Sequence, residues 1–163
     1  MSFTVQNDRL LFDSLNEECT YRNEKGAAAI VLGMAEAEKN SPSKIVTMDF
    51  FDTTHANSYG LGFLVKAVTK HHGRLVYTRC PSWLVNVFSL VGPQLLRNAS
   101  IESVVAPFLD PSTGKSENIV LSLTKDIKAT KSTQRVSLRP QIHDGIVLQP
   151  EFEPQVYFGF MLD

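Results

Sequence analysis

The stretch HANSYGLGFLVKAV, residues 55–68, sets the polar pair Asn57-Ser58 before two glycines and then passes directly into an apolar helical pattern. Three kinds of site use residues of these types at such a spacing: a glycine-rich phosphate cradle, a nucleophile elbow, and a capped helix start that another protein reads. The dinucleotide fingerprint GxGxxG begins at Gly60-Leu61-Gly62, but its third glycine would fall on Val65, so that reading fails. An elbow of the form GxSxG centred on Ser58 fails as well, because Ala56 occupies its first glycine position. A second phosphate-binding candidate, STGKS at 112–116, has Leu109 where a P-loop needs glycine and no amphipathic helix behind it, which predicts a solvated turn.

The remaining titratable residues form no recognisable catalytic or metal set. His55, His71, His72 and His143 lack the HxxxH or HxxE spacing that puts two ligands on one helical face, and they read as surface or loop histidines. Asp49 and Asp52 come without a third ligand and read as solvated or capping carboxylates. Cys19 and Cys80 have no CxxC spacing, which favours buried, reduced thiols. No catalytic residue, metal or cofactor is assigned. What survives is the helix start itself, bearing Asn57 and Ser58, where a hydroxyl can cap the unpaired backbone N–H groups and Gly60 and Gly62 would allow close packing.

Several elements must position that start. FTVQND and RLLFDSL predict two short strands joined at Asn7-Asp8. Ala27, Ile30, Val31 and Met34 lie at helical spacing, with Asn40, Ser41 and Pro42 as the stop. KIVTMDFF, residues 44–51, is a mostly apolar run, as in a strand buried on both faces. The next helix buries Leu61, Leu64, Val65 and Val68, leaves Lys66, Lys70 and His71 outside the stripe, and ends at Gly73 in a left-handed cap. RLVYTRC then completes a parallel βαβ unit. A third helix starts at Pro81-Ser82, buries Leu84, Val87, Phe88 and Val91, and stops at Gly92-Pro93, after which SVVAPF at 103–108 is the last strand.

The fold class is therefore α/β: a mixed sheet of four to five strands with helices packed mainly on one face. Residues 1–108 make the domain, and 109–163 a C-terminal extension. That extension opens with the turn-rich LDPSTGKSEN and the polar LTKDIKATKSTQR, and closes in an apolar, partly β segment. So apolar a segment is expected to pack on the domain or on a neighbouring subunit, which makes it a route to a homo-oligomer.

Composition narrows the function classes. With 43% apolar and 20% charged residues, the chain of 163 residues can bury one ordinary core. A net charge of -1 supplies no field for gripping nucleic acid or an anionic membrane surface. No apolar run approaches the length a bilayer needs, and the N-terminus lacks a signal-peptide pattern, so a cytoplasmic location is expected.

The order of pieces resembles the STAS domains, the family of the anti-sigma factor antagonists. KIVTMDFFDTTHANSYGLG is similar to that family's hydrophobic strand, loop and D-S-S/T-G-L-G helix start. HGRLVY resembles its G-G-x-L-x-L strand, and CPSWLVNVFSLVG its following helix; the likeness covers roughly residues 3–108. Where the family carries Asp, Ser and the phosphorylatable Ser or Thr before Gly-Leu-Gly, this chain has Asn57, Ser58 and Tyr59.

The resemblance implies a STAS-like fold and a non-enzymatic regulatory module that docks a protein partner, such as an anti-sigma factor kinase, and is released by phosphorylation. Partner contact would then centre on Asn57, Ser58, Tyr59, Gly60 and Lys66, with Ser58 as the hydroxyl left to accept a phosphate. Two alternatives stand beside it. One is a STAS scaffold or transport-system subunit that works without phosphorylation. The other is a small α/β enzyme or nucleotide binder using the Ser58 loop with His55 and Asp52.

Overall fold

A computed structural model describes residues 1–15, 25–53 and 56–162. Strands β1 (Ser2–Gln6) and β2 (Arg9–Ser14) form the expected hairpin, with Asn7 of the turn at φ 56°, a left-handed conformation that Asn tolerates. Helix α1 (Lys25–Asn40) leads to β3 (Ile45–Asp49), α2 (Ser58–Lys70) to β4 (Arg74–Thr78), and α3 (Ser82–Leu95) to β5 (Ala99–Ile101). The five strands lie in the order β1-β2-β3-β4-β5, antiparallel at the hairpin and parallel thereafter. The sheet is thus mixed, as the strand–helix alternation requires. Residues 45–49 and 74–78 are adjacent parallel partners in it.

Side-chain alternation divides the sheet into two unlike faces. Leu10, Phe12, Val46, Met48, Leu75 and Tyr77 are buried and meet the helices, whereas Thr47 and Val76 on the other face are half-buried and Arg9 is exposed. β3 is therefore covered fully on one face only, not on both as its apolar run suggested. α1 supplies Ala27, Ile30, Met34 and Ala37 to the core, with Val31 half-buried. α2 supplies Phe63, Leu64, Ala67 and Val68, while Leu61 and Val65 are half-buried at the edge of its stripe.

Two helix ends differ from the sequence reading. α2 ends at Lys70, and its C-cap is His71 in an extended conformation (φ −82°, ψ 130°) that donates its N–H to the carbonyls of Ala67 and Val68. Gly73 is not left-handed; its role is room, because a Cβ there would stand 2.6 Å from Nε2 of His71. α3 does not stop at Gly92-Pro93 but kinks there. Val91 leaves helical geometry (φ −126°, ψ 23°), and Pro93, which has no N–H to donate, sits inside the continuing turn.

SVVAPF is not the last strand of this sheet, a place taken by the short β5. It belongs to β6 (Ser103–Asp110), which pairs antiparallel with β7 (Lys115–Ser122) across a turn holding Gly114 at φ 68°. The polar stretch after β7 forms a further hairpin, β8 (Ile127–Thr130) and β9 (Arg135–Leu138). Short β10 (Ile142–His143) and β11 (Ile146–Val147) pair with each other, and β12 (Gln149–Pro150) pairs with β6. Helix α4 (Pro154–Tyr157) and a 3-10 turn at Gly159–Met161 follow.

The two sheets are joined through Cys80, whose N–H donates to the Ser103 carbonyl and whose carbonyl accepts from Val105 N–H. Leu121, Leu148, Tyr157 and Phe158 enter the same apolar cluster as Leu10 and Met48. A run of ring contacts crosses that cluster, from Phe3 to Phe12, Phe50, Tyr77, Phe88 and finally Phe160, with neighbouring centroids 5.0 to 5.9 Å apart. The Tyr157 hydroxyl donates to the Val105 carbonyl at 2.9 Å and lies 3.1 Å from Oγ of Ser82, tying the C-terminal segment to the start of α3.

Candidate functional site

The loop between β3 and α2 is anchored on both sides of the residues it presents. Thr53 donates its hydroxyl to the Phe12 carbonyl at 2.7 Å, and its own carbonyl accepts from the Trp83 indole at 3.0 Å. Beyond Thr54 and His55, which lie outside the described residues, Ala56 bridges to Leu15 at the end of β2. Asn57, in extended conformation (φ −95°, ψ 169°), then caps α2: its Oδ1 accepts from Gly60 N–H at 2.9 Å. The amide, not the Ser58 hydroxyl, performs the capping. Ser58 is the first helical residue and is exposed.

Gly60 explains how the helix start comes so close to the sheet. A Cβ at this position would stand 1.4 Å from the Leu15 carbonyl oxygen, so only glycine lets α2 begin against that backbone. Gly62 has a different setting. Nothing lies within 4 Å of where its Cβ would be, and no close packing depends on it.

Helical geometry carries the exposed start along one line. Tyr59, Lys66 and Lys70 are spaced by seven and four residues, which returns them to nearly the same side of α2. Tyr59 is 47% exposed, and Lys66 and Lys70 are exposed. The two lysines border a groove of about 350 Å³ between α1 and α2, lined on the α1 side by Ala27, Ala28, Val31 and Leu32. Leu32 is 70% exposed there, an apolar side chain with a cationic rim beside it. Four of the site residues named from sequence, Ser58, Tyr59, Lys66 and the cap Asn57, thus share one end and flank of α2. Gly60 faces inward. The α1 side of the groove was not anticipated, because the apolar periodicity of α1 assigns Val31 to the core and leaves Leu32 without a role.

The other candidates are scattered. Asp52 and His72 are exposed. His71 is buried at 8% exposure, and its Nε2 has no hydrogen-bond partner among the described residues. Burial lowers its pKa, the Glu38 carboxylate opposes this, and His72 adds to the lowering. His143 is exposed, its Nδ1 3.1 Å from the Glu117 carboxylate, and hydrogen bonding to Glu117 raises its pKa. Cys80 is buried, which pushes its thiol far up, with Asp49 adding to the effect; Cys19 lies outside the described residues. Among the described residues no three His, Cys, Asp or Glu side chains converge as a metal-holding group.

Of the two readings of Asp49, solvated or capping, its burial excludes the first and its bond from Phe51 N–H fits the second. It lies at the end of β3 with only 1% of its side chain exposed, on the sheet face away from the helices, and it also accepts from Phe51 N–H at 3.1 Å. Arg79 donates to it from Nε at 2.9 Å and through a short contact from Nη2, while Arg9 stands at 3.9 Å. The guanidinium of Arg79 also lies 4.4 Å above the ring of Phe51. Sequence spacing carries no sign of this pair, since thirty residues separate its members. It borders a hollow of about 340 Å³ with Thr78 and Ser103, to which Glu102 and Asp126 add two further carboxylates.

No protein-family model, curated protein or solved structure matches this chain. Among the described residues, no helix is long and apolar enough to cross a membrane.

Proposed function

We propose that this chain is a non-enzymatic regulatory module that docks a protein partner through the start and exposed flank of α2, in the manner of the STAS antagonists it resembles. The observation that carries the reading is the alignment of Tyr59, Lys66 and Lys70 along one side of α2, with the two lysines bordering a groove that holds exposed Leu32, on a helix whose start is held by Asn57 and Gly60. Such a surface is polar at one end, apolar in the groove and rigidly placed, which lowers the ordering cost of binding. Tyr59 is the natural anchor, because an aromatic ring entering a partner pocket contributes a large share of binding.

Ser58 suits the switching part of the proposal. A phosphate on this exposed first residue would add about one and a half to two negative charges beside Tyr59 and alter any contact made there. The scaffold or transport-system reading uses the same surface without that charge, and differs only in whether Ser58 is modified.

The test is affinity capture from the source cell, followed by mass spectrometry of both partner and bait. Tyr59→Ala and Leu32→Glu should each lose the captured partner while keeping the parent's thermal midpoint, and Val156→Asp, at an exposed site on α4, should keep it. Equal capture by all four proteins would remove the α2 flank as the docking site. Loss of partner in Ser58→Asp with capture kept in Ser58→Ala would favour the switch over the scaffold.

A further inference from the structure

The kink in α3 leaves room that the chain does not fill. A cavity of about 300 Å³ lies between the kinked end of the helix and the C-terminal 3-10 turn, lined by Phe88, Gly92, Pro93, Leu96, Arg97 and Phe160. Its walls are apolar: the rings of Phe88 and Phe160 meet at 5.7 Å and 54°, forming a corner. Gly92 is itself buried, yet a Cβ added there would find no atom nearer than Leu96 Cδ1 at 3.8 Å. At the mouth stands Arg97, exposed and in no ion pair among the described residues. Arg97 also borders a second hollow that holds Arg74, and neither lining contains a carboxylate.

We propose that this cavity binds a small apolar monocarboxylate, its body against Phe88, Gly92 and Phe160 and its carboxylate on the guanidinium of Arg97. The volume stands at the lower end of the range for ligand pockets, about 300 to 1,000 Å³, so the body is a single ring or a medium-length chain. Few polar groups line the wall, which leaves orientation to the one charge at the rim. A planar guanidinium matches a carboxylate through two parallel hydrogen bonds, which favours a carboxylate over a neutral or cationic head. This site lies on α3 and the C-terminal turn, apart from the α2 flank, and does not depend on how that flank is used.

The test uses decanoate, decanol and decylamine, each kept well below its aggregation concentration, titrated into the full chain while backbone amide shifts are followed by NMR. Decanoate should saturate one site, with the largest shifts at Gly92, Arg97 and Phe160, and should bind at least tenfold more tightly than the other two. Arg97→Gln, a change at an exposed position, should remove that preference. Gly92→Val, which fills the space beside the helix, should abolish binding. Should Gly92→Val fail to fold, Arg97→Gln still decides the matter. Equal binding of the three heads, shifts spread away from the cavity, or unchanged decanoate affinity in Arg97→Gln would overturn the proposal.

Discussion

Arg79 holds the buried carboxylate of Asp49 from a left-handed backbone position, at φ 51°, where β4 leads into α3. The two partners differ in what their loss leaves behind. Arg79 is about a third exposed, so without Asp49 its guanidinium can turn to water; Asp49 cannot, being enclosed. Arg79→Met should therefore cost about 3–5 kcal/mol, the usual penalty for stranding a buried charge. Asp49→Asn keeps an acceptor for Phe51 N–H and should cost less, roughly 1.5–3 kcal/mol. Chemical denaturation of both variants checks the order, and equal costs would mean that Arg9 alone compensates Asp49.

Gly60 and Gly62 should respond in opposite directions to the same substitution. Gly60→Ala pushes a methyl into the Leu15 carbonyl, which is backbone and cannot rotate away, so a loss of more than about 4 kcal/mol or failure to fold is expected. Gly62→Ala meets open space within a helix and should stabilise by about 0.5–1 kcal/mol. Thermal melts of the two single variants give the comparison, and a tolerated Gly60→Ala would show that α2 does not start against β2.

His71 should make stability fall on mild acidification. Its folded pKa is lowered below the ordinary 6.5, chiefly by burial, so the unfolded chain takes up the proton first. The stability that neutral His71 allows is present in full above about 6.5 and is lost as pH falls from there through the lowered folded value. His143 acts with the opposite sign, because Glu117 raises its pKa: its contribution is present below 6.5 and is lost as pH rises through the raised value. Urea midpoints between about pH 5 and pH 8 should show a weaker slope in His71→Gln and a steeper one in His143→Asn. A His71→Gln profile parallel to the parent's would contradict the assignment.

Leu64 and Val65 test the edge of the α2 stripe. Leu64 is 1% exposed, and its truncation to Ala should cost about 2–5 kcal/mol. Val65 is only half-buried, so Val65→Ala should cost about 1 kcal/mol or less. Similar losses at the two positions would require a rotated helix.

What could be read from residue order was whatever local physics decides. The hairpin at Asn7-Asp8, the helices carrying Ile30, Leu64 and Phe88, and the parallel pairing of β3 with β4 all follow from periodicity and short connections. Helix ends were less legible. Gly73 looked like a left-handed cap, but the residue it accommodates, His71, arrives from two positions earlier and from burial that no local pattern encodes. Gly92-Pro93 reads as a stop, whereas buried Leu95, whose carbonyl accepts from the Tyr77 hydroxyl at 2.8 Å, lies on the turn that continues past it.

The candidate site divides in the same way. That the start of α2 is capped and its flank exposed was open to reading, because both depend on neighbours within one helix, whereas the capping group is the Asn57 amide and not a hydroxyl. The groove beside Leu32, the burial of Asp49 and the cavity beside Gly92 are products of elements meeting from distant parts of the chain.

The bond from Tyr157 reaches back 52 residues to Val105, and its hydroxyl also meets Ser82 75 residues earlier. That reach sets a timetable for synthesis. A ribosome lengthening the chain by about 5–20 residues per second releases α3 several seconds before Tyr157, Phe158 and Phe160 can follow. Through that interval the nascent chain holds Phe88 and Phe108 without the rings that later cover them. Until residues 152–160 have emerged, Phe88 and Phe108 therefore lack part of their apolar cover and are open to non-native contacts.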